Sequence, residues 1–167
     1  MATLTVRLFD YETLRAQLTP GSRVAVLSCG SCARLSDGLG GAQGLSSLAE
    51  KLTADGFRVI CREVLAVACA GDSLKKNLGE AGIQRLLEEA DVVIPLACTA
   101  GIKRAQESLP GARICVVTRT VGKGSFTSET GARLTETPAE TGLKIDTVEG
   151  ISLAEAAARL GLHAGQF

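Results

Sequence analysis

The chain has 167 residues, 46% of them hydrophobic and only 3% aromatic, with 18 basic residues balanced by 18 acidic ones. That length suits one domain, 1–167, with its own core, and the hydrophobic fraction excludes a disordered chain. Zero net charge and few aromatic rings leave no electrostatic or stacking basis for holding nucleic acid or an anionic membrane.

Residues 1–10 lack a basic region followed by a long apolar run, so they do not read as a signal peptide. No stretch approaches the length of a membrane span. The expectation is a cytoplasmic protein without membrane insertion, and in that compartment disulfides are rare. Its six cysteines therefore call for core packing, redox chemistry or a metal.

Residues 11–18 predict a short helix ended by Pro20-Gly21. The apolar run at 23–28 has no helical period and reads as a buried parallel strand. It ends at Cys29-Gly30-Ser31-Cys32, and a glycine-rich loop follows at Gly38, Gly40 and Gly41. Leu45, Leu48, Ala49 and Leu52 recur at helical spacing, with Gly56 placed to end that helix. A second strand is expected at 57–65 and a loop carrying Cys69-Ala70-Gly71 after it. Asp72 or Ser73 caps a helix toward Glu89, loosened by Gly79 and Gly82. A third strand over 91–97 ends at Cys98. Thr99 is placed to cap a fourth helix, and a fourth strand follows at 113–118.

Strands alternating with helices imply a doubly wound, mostly parallel four-stranded sheet over a core of 23–120. The expected order is flavodoxin-like, 2-1-3-4. Residues 121–150 read as a loop or hairpin, and 151–162 hold a short alanine-rich C-terminal helix.

Cys29, Cys32, Cys69 and Cys98 all fall at or just beyond the C-terminal ends of strands, where open α/β sheets build their sites. Neighbouring strands lie about 4.8 Å apart, so the expected order brings three loops and four thiolates together. Gly30, Gly71 and Gly101 stand beside or close after these cysteines. Glycine lets the backbone approach closely and aim N–H groups at sulfur. Four thiolates suit a tetrahedral zinc or a [4Fe–4S] cluster, and spacing alone leaves both open. Cys61 and Cys115 lie inside strands and read as small core hydrophobes.

Other chemistry finds less support. Cys29 and Cys32 could form a dithiol redox pair, but that chemistry would not use Cys69 and Cys98. Gly38, Gly40, Gly41 and Gly44 lie too far beyond the strand for a dinucleotide fingerprint with Glu63 as its acid. His163 is the only histidine and finds no acid–base partner. Lys75, Lys76, Lys103 and Lys123 read as surface charges. No Ser/His/Asp arrangement can be built, so no catalytic residue is assigned to this chain.

Cys29-Gly30-Ser31-Cys32-Ala33, the Gly40-Gly41 pair, a lone Cys69 and Leu96-Ala97-Cys98-Thr99-Ala100-Gly101-Ile102 follow in order. Together they resemble the MetV-like family, the domain also called methylenetetrahydrofolate reductase C-terminal or zinc-binding-like. The resemblance covers roughly 23–120. It implies an accessory electron-transfer or structural subunit in anaerobic one-carbon metabolism. Such a subunit docks on a MetF-like flavoprotein and exchanges electrons with another redox protein. The family's further cysteine, four residues after the second, is Ser36 here, and no cysteine follows Cys115. From the redox context of that family, the expected cofactor is one [4Fe–4S] cluster on Cys29, Cys32, Cys69 and Cys98. A structural zinc-binding docking module is the alternative, and a Cys29/Cys32 dithiol protein the second.

Overall fold

A computed structural model of the chain describes all of its residues, 1–167. In chain order the elements are β1 (Ala2–Arg7), α1 (Tyr11–Ala16), β2 (Arg23–Cys29), α2 (Gly41–Ala54), β3 (Arg58–Leu65) and α3 (Ser73–Glu89). They continue as β4 (Val92–Leu96), α4 (Thr99–Ser108), β5 (Thr118–Thr127), β6 (Gly131–Glu136), β7 (Ile151–Ser152) and α5 (Leu153–Arg159).

These strands divide between two sheets. One is parallel, in the order β3-β2-β4; the other is antiparallel, in the order β1-β5-β6-β7. The single, mostly parallel four-stranded sheet expected from the alternation of elements is therefore not what forms. Residues 113–118 add only one bridge to the parallel sheet, Ile114 to Val93. Two hydrogen bonds of 2.8 Å close it, from Val93 N–H to Arg113 O and from Cys115 N–H to Val93 O. From Thr118 onward the chain joins the other sheet.

The physical reason lies in residues 2–7. Thr3, Leu4, Thr5 and Val6 alternate polar and apolar, the signature of a strand with one face buried. Leu4 and Val6 are fully buried in a cluster with Val121, Ala132, Leu134, Leu153, Ala156 and Ala157. β1 thus offers β5 an antiparallel partner from Arg7↔Thr118 to Ala2↔Gly124, far more ladder than an edge extension at Ile114. The expected loop or hairpin after 120 is the hairpin β5–β6, which begins inside the segment read as a fourth parallel strand.

The parallel sheet is covered on both faces. Leu45, Leu48 and Leu52 of α2 pack with Val24, Val26, Phe57 and Ile94 on one side. Leu74 and Leu86 of α3 and Ile102 of α4 pack with Ala25, Leu27, Leu65 and Val93 on the other. Gly79 divides α3, with φ 70° inside the helix. Arg23 and Asp91 tie the N-terminal ends of β2 and the β4 segment. The Asp91 carboxylate accepts from the Arg23 backbone N–H at 2.7 Å and from the guanidinium at 2.8 and 3.1 Å. No helix is long and apolar enough to cross a membrane.

Candidate metal centre

β2 lies between β3 and β4, so the loops leaving these three strands meet at one end of the parallel sheet. Cys29 is the last residue of β2 and only 2% exposed. Cys98 follows β4, is 4% exposed and occupies the N-cap of α4. The expected cap, Thr99, is instead the first helical residue. Cys32 and Cys69 sit in turns and are half-buried. Cys32, Cys69 and Cys98 line one cleft of about 620 Å³. Cys29 lies behind them, at the end of β2. Burial pushes the Cys98 thiol pKa up, the Gly101 N–H opposes that shift, and Cys69, Cys29 and Cys32 push it further up.

The three expected glycines have different positions. The Gly101 N–H faces the Cys98 sulfur, although it stops short of a full capping hydrogen bond. A Cβ at Gly101 would lie 2.9 Å from the Ala97 Cβ and 3.2 Å from the Ala68 Cβ. The missing side chain is what lets α4 press against the loop that carries Cys69. The Gly30 N–H is bonded to Leu65 O at 2.8 Å; it fixes the strand end rather than facing a sulfur. Gly71 has φ 35° and open space where a Cβ would stand. Gly40 was no candidate ligand, but a Cβ there would lie 2.7 Å from the Cys29 carbonyl oxygen. The glycine loop is therefore a close-packing device beneath Cys29.

The other wall of the cleft is the antiparallel sheet, which supplies Thr3, Thr120, Gly122, Lys123, Glu136 and Thr137. Four sets of hydrogen bonds fasten it to the cysteine loops. Thr99 and Thr120 exchange two, each N–H donating to the other's hydroxyl at 3.1 Å. Thr118 Oγ1 donates to Ala97 O at 2.6 Å. The Ala132 N–H donates to Asp37 Oδ1 at 2.8 Å. Ser36 is fully buried, accepts from the Thr5 N–H at 3.0 Å and donates to Cys32 O at 2.9 Å. Ser36 thus braces the Cys32 turn against β1.

Cys61 and Cys115 lie outside this cleft, half-buried against the cores on opposite faces of the parallel sheet. Burial raises both thiol pKa values. Lys103 and Lys123, read from sequence as surface charges, line the cleft with the cysteines. Their sequence signal was thin. Lys103 lies on the helix that Cys98 caps, and Lys123 stands between Gly122 and Gly124 in a segment whose strand partner was unread.

No group of three or more His, Cys, Asp or Glu side chains is placed to hold a metal ion as the chain stands. A tetrahedral zinc needs every sulfur about 2.3 Å from one ion. A cubane cluster would be held by four thiolates, for which Cys29, Cys32, Cys69 and Cys98 are the candidates. A donor set of four thiols suits either group. Compared with known proteins, the chain matches no family model, no curated protein and no solved structure.

Proposed function

We propose that this chain is a small redox subunit that holds one [4Fe–4S] cluster on Cys29, Cys32, Cys69 and Cys98. The observation that carries this reading is geometric: three loops bearing four cysteines leave one end of the parallel sheet together, and three of those cysteines line one cleft. When bound, such a cluster supplies one-electron transfer at a potential tuned by charge, hydrogen bonds and solvent exposure. The chain's own part is to bind, shield and orient. Buried Cys29 lies behind the cleft, while Cys32, Cys69 and the more deeply buried Cys98 line it. The Gly101 N–H and the first turn of α4 favour negative charge at Cys98. The Thr99–Thr120 pair holds that turn in place.

The resemblance of the Cys29 and Cys98 segments to the MetV-like family supplies the partner. In this reading the chain is the accessory subunit of a methylenetetrahydrofolate reductase-type assembly. It docks on a MetF-like flavoprotein and relays electrons to or from a second redox protein.

The test is the content of iron, zinc and acid-labile sulfide in protein purified without oxygen. About four iron and four sulfide per chain are expected. About one zinc without sulfide would move the function to a structural docking module. A metal-free chain would overturn the reading and leave the Cys29/Cys32 dithiol as the remaining chemistry.

A further inference from the structure

Three charged side chains line the cleft beside the cysteines: Lys103 from α4, Lys123 from β5 and Glu136 from β6. None of them belongs to any ion pair of the chain. Lys123 and Glu136 are direct cross-strand partners, so on one face they stand side by side at the mouth of the site. Their placement is a product of the antiparallel sheet, the part of the fold that carries no cysteine.

Resting on the cluster reading above, we infer that Lys103, Lys123 and Glu136 set the potential of this site, the two lysines raising it and the glutamate lowering it. A [4Fe–4S] core held by four thiolates is a net dianion, and one added electron makes it a trianion; no bond forms or breaks. Reduction therefore adds negative charge beside a cleft rimmed by these three exposed residues, where opposite charge stabilises it and like charge opposes it. The three residues touch no sulfur as ligands. They act through space across the cleft and are positioning residues.

The experiment is a dithionite titration of the anaerobically purified, iron-loaded chain, followed by its visible absorption, for five variants and wild type. Lys103→Gln and Lys123→Gln should each lower the midpoint potential, and Glu136→Gln should raise it. Lys103→Arg should keep the wild-type value, because it conserves the charge. Lys144→Gln, an exposed lysine outside the cleft, should not move it. The shifts should shrink between about 0.1 M and about 1 M salt, as the screening length falls from about 10 Å to about 3 Å. Iron and sulfide per chain should match wild type throughout, which separates a charge effect from a damaged site.

Cleft variants that titrate with Lys144→Gln, or whose shifts have the opposite signs, would overturn the inference with the cluster reading intact. A wild-type chain holding no iron and sulfide would overturn both together. If a glutamine variant loses its cluster while Lys103→Arg retains it at an unchanged potential, the double variant Lys123→Gln/Glu136→Gln decides. Having lost one charge of each sign, it should titrate near wild type; a large shift there refutes the charge account.

Discussion

Gly101→Ala tests whether contact between α4 and the Cys69 loop builds the site. Two effects of opposite sign compete. Replacing a helical glycine by alanine favours the helix by up to about 1 kcal/mol. Against that, the new methyl would stand 2.9 Å from the Ala97 Cβ and 3.2 Å from the Ala68 Cβ. Both neighbours are methyl groups fixed to the backbone, so neither can rotate away. Overpacking of this kind costs about 1–3 kcal/mol, and relief requires α4 to move off the loop. With the full helix gain subtracted, the net expectation is a loss of up to about 2 kcal/mol, a fall in Tm of up to about 8 °C for a chain of this size. The methyl also separates Cys98 from Cys69, so iron retention should fall further than stability does. Thermal melts of the metal-free chain, with iron and sulfide counts on the anaerobic protein, measure the two effects separately. A variant that melts above wild type and keeps its full iron would show that α4 does not bear on Ala68, and the account of Gly101 would fail.

Cys69→Ser or Cys98→Ser should abolish metal retention while Cys115→Ser leaves it full; the reverse pattern in metal analysis would refute the ligand set. Ser36→Ala removes the acceptor for the Thr5 N–H and the donor to Cys32 O. It should cost about 1–3 kcal/mol in denaturant unfolding, and an unchanged midpoint would mean that Ser36 braces nothing. Thr5→Val should be neutral or stabilising, because the buried Thr5 Oγ1 has no hydrogen-bond partner. A clear loss of stability would reveal a partner for that hydroxyl. Hydrogen bonds from the Arg23 guanidinium and then its backbone N–H hold the Asp91 carboxyl well below its ordinary value, at about 2. A depressed folded-state pKa contributes stability that is present above the unfolded pKa and lost as pH falls through the folded one. Asp91→Asn should therefore flatten the acid limb of stability between about pH 4 and pH 2; unfolding curves of both proteins that stay parallel across that window would contradict this.

Local patterns were legible in the sequence where one element decides its own structure. The spacing of Leu45, Leu48 and Leu52 is a property of one helix, and the apolar run before Cys29 is a property of one strand. The cysteines could be placed at strand ends for the same reason. The second sheet was not legible, because its evidence is divided between the two ends of the chain. Ala2–Arg7 alternates only over Thr3 to Val6 and has no partner strand near it in sequence, and Thr118–Thr127 contains Gly122 and Gly124, which weaken a strand signal. Both glycines are required by pairing: a Cβ at Gly122 or Gly124 would run into the carbonyl oxygen of Glu136 or Arg133 on β6. Composition that reads locally as a loop is here a consequence of close strand approach. The charged wall of the cleft was hidden with that sheet, since Lys123 and Glu136 have no meaning as neighbours until β5 and β6 pair.

The two sheets also divide the work at the site, and the division has a physical consequence. The parallel sheet supplies every proposed ligand. The antiparallel sheet supplies the polar wall, and its attachments reach the backbone immediately around two of those ligands, Cys98 and Cys32. Thr120 bonds to Thr99 beside Cys98, Thr118 to Ala97 before it, and Thr5 reaches Cys32 O through Ser36. Any force that orders the cysteine loops must therefore order the junction between the sheets as well. A ligand that binds only the folded arrangement stabilises it by mass action. A cluster bound by the four cysteines would thus tighten β1 and β5 against the parallel sheet, although neither strand carries a cysteine. Hydrogen exchange reports this directly. The Thr5 and Thr120 amides, which bond to side chains across the junction, should slow on loading. Amides inside α5, on the far face of the antiparallel sheet, should change far less.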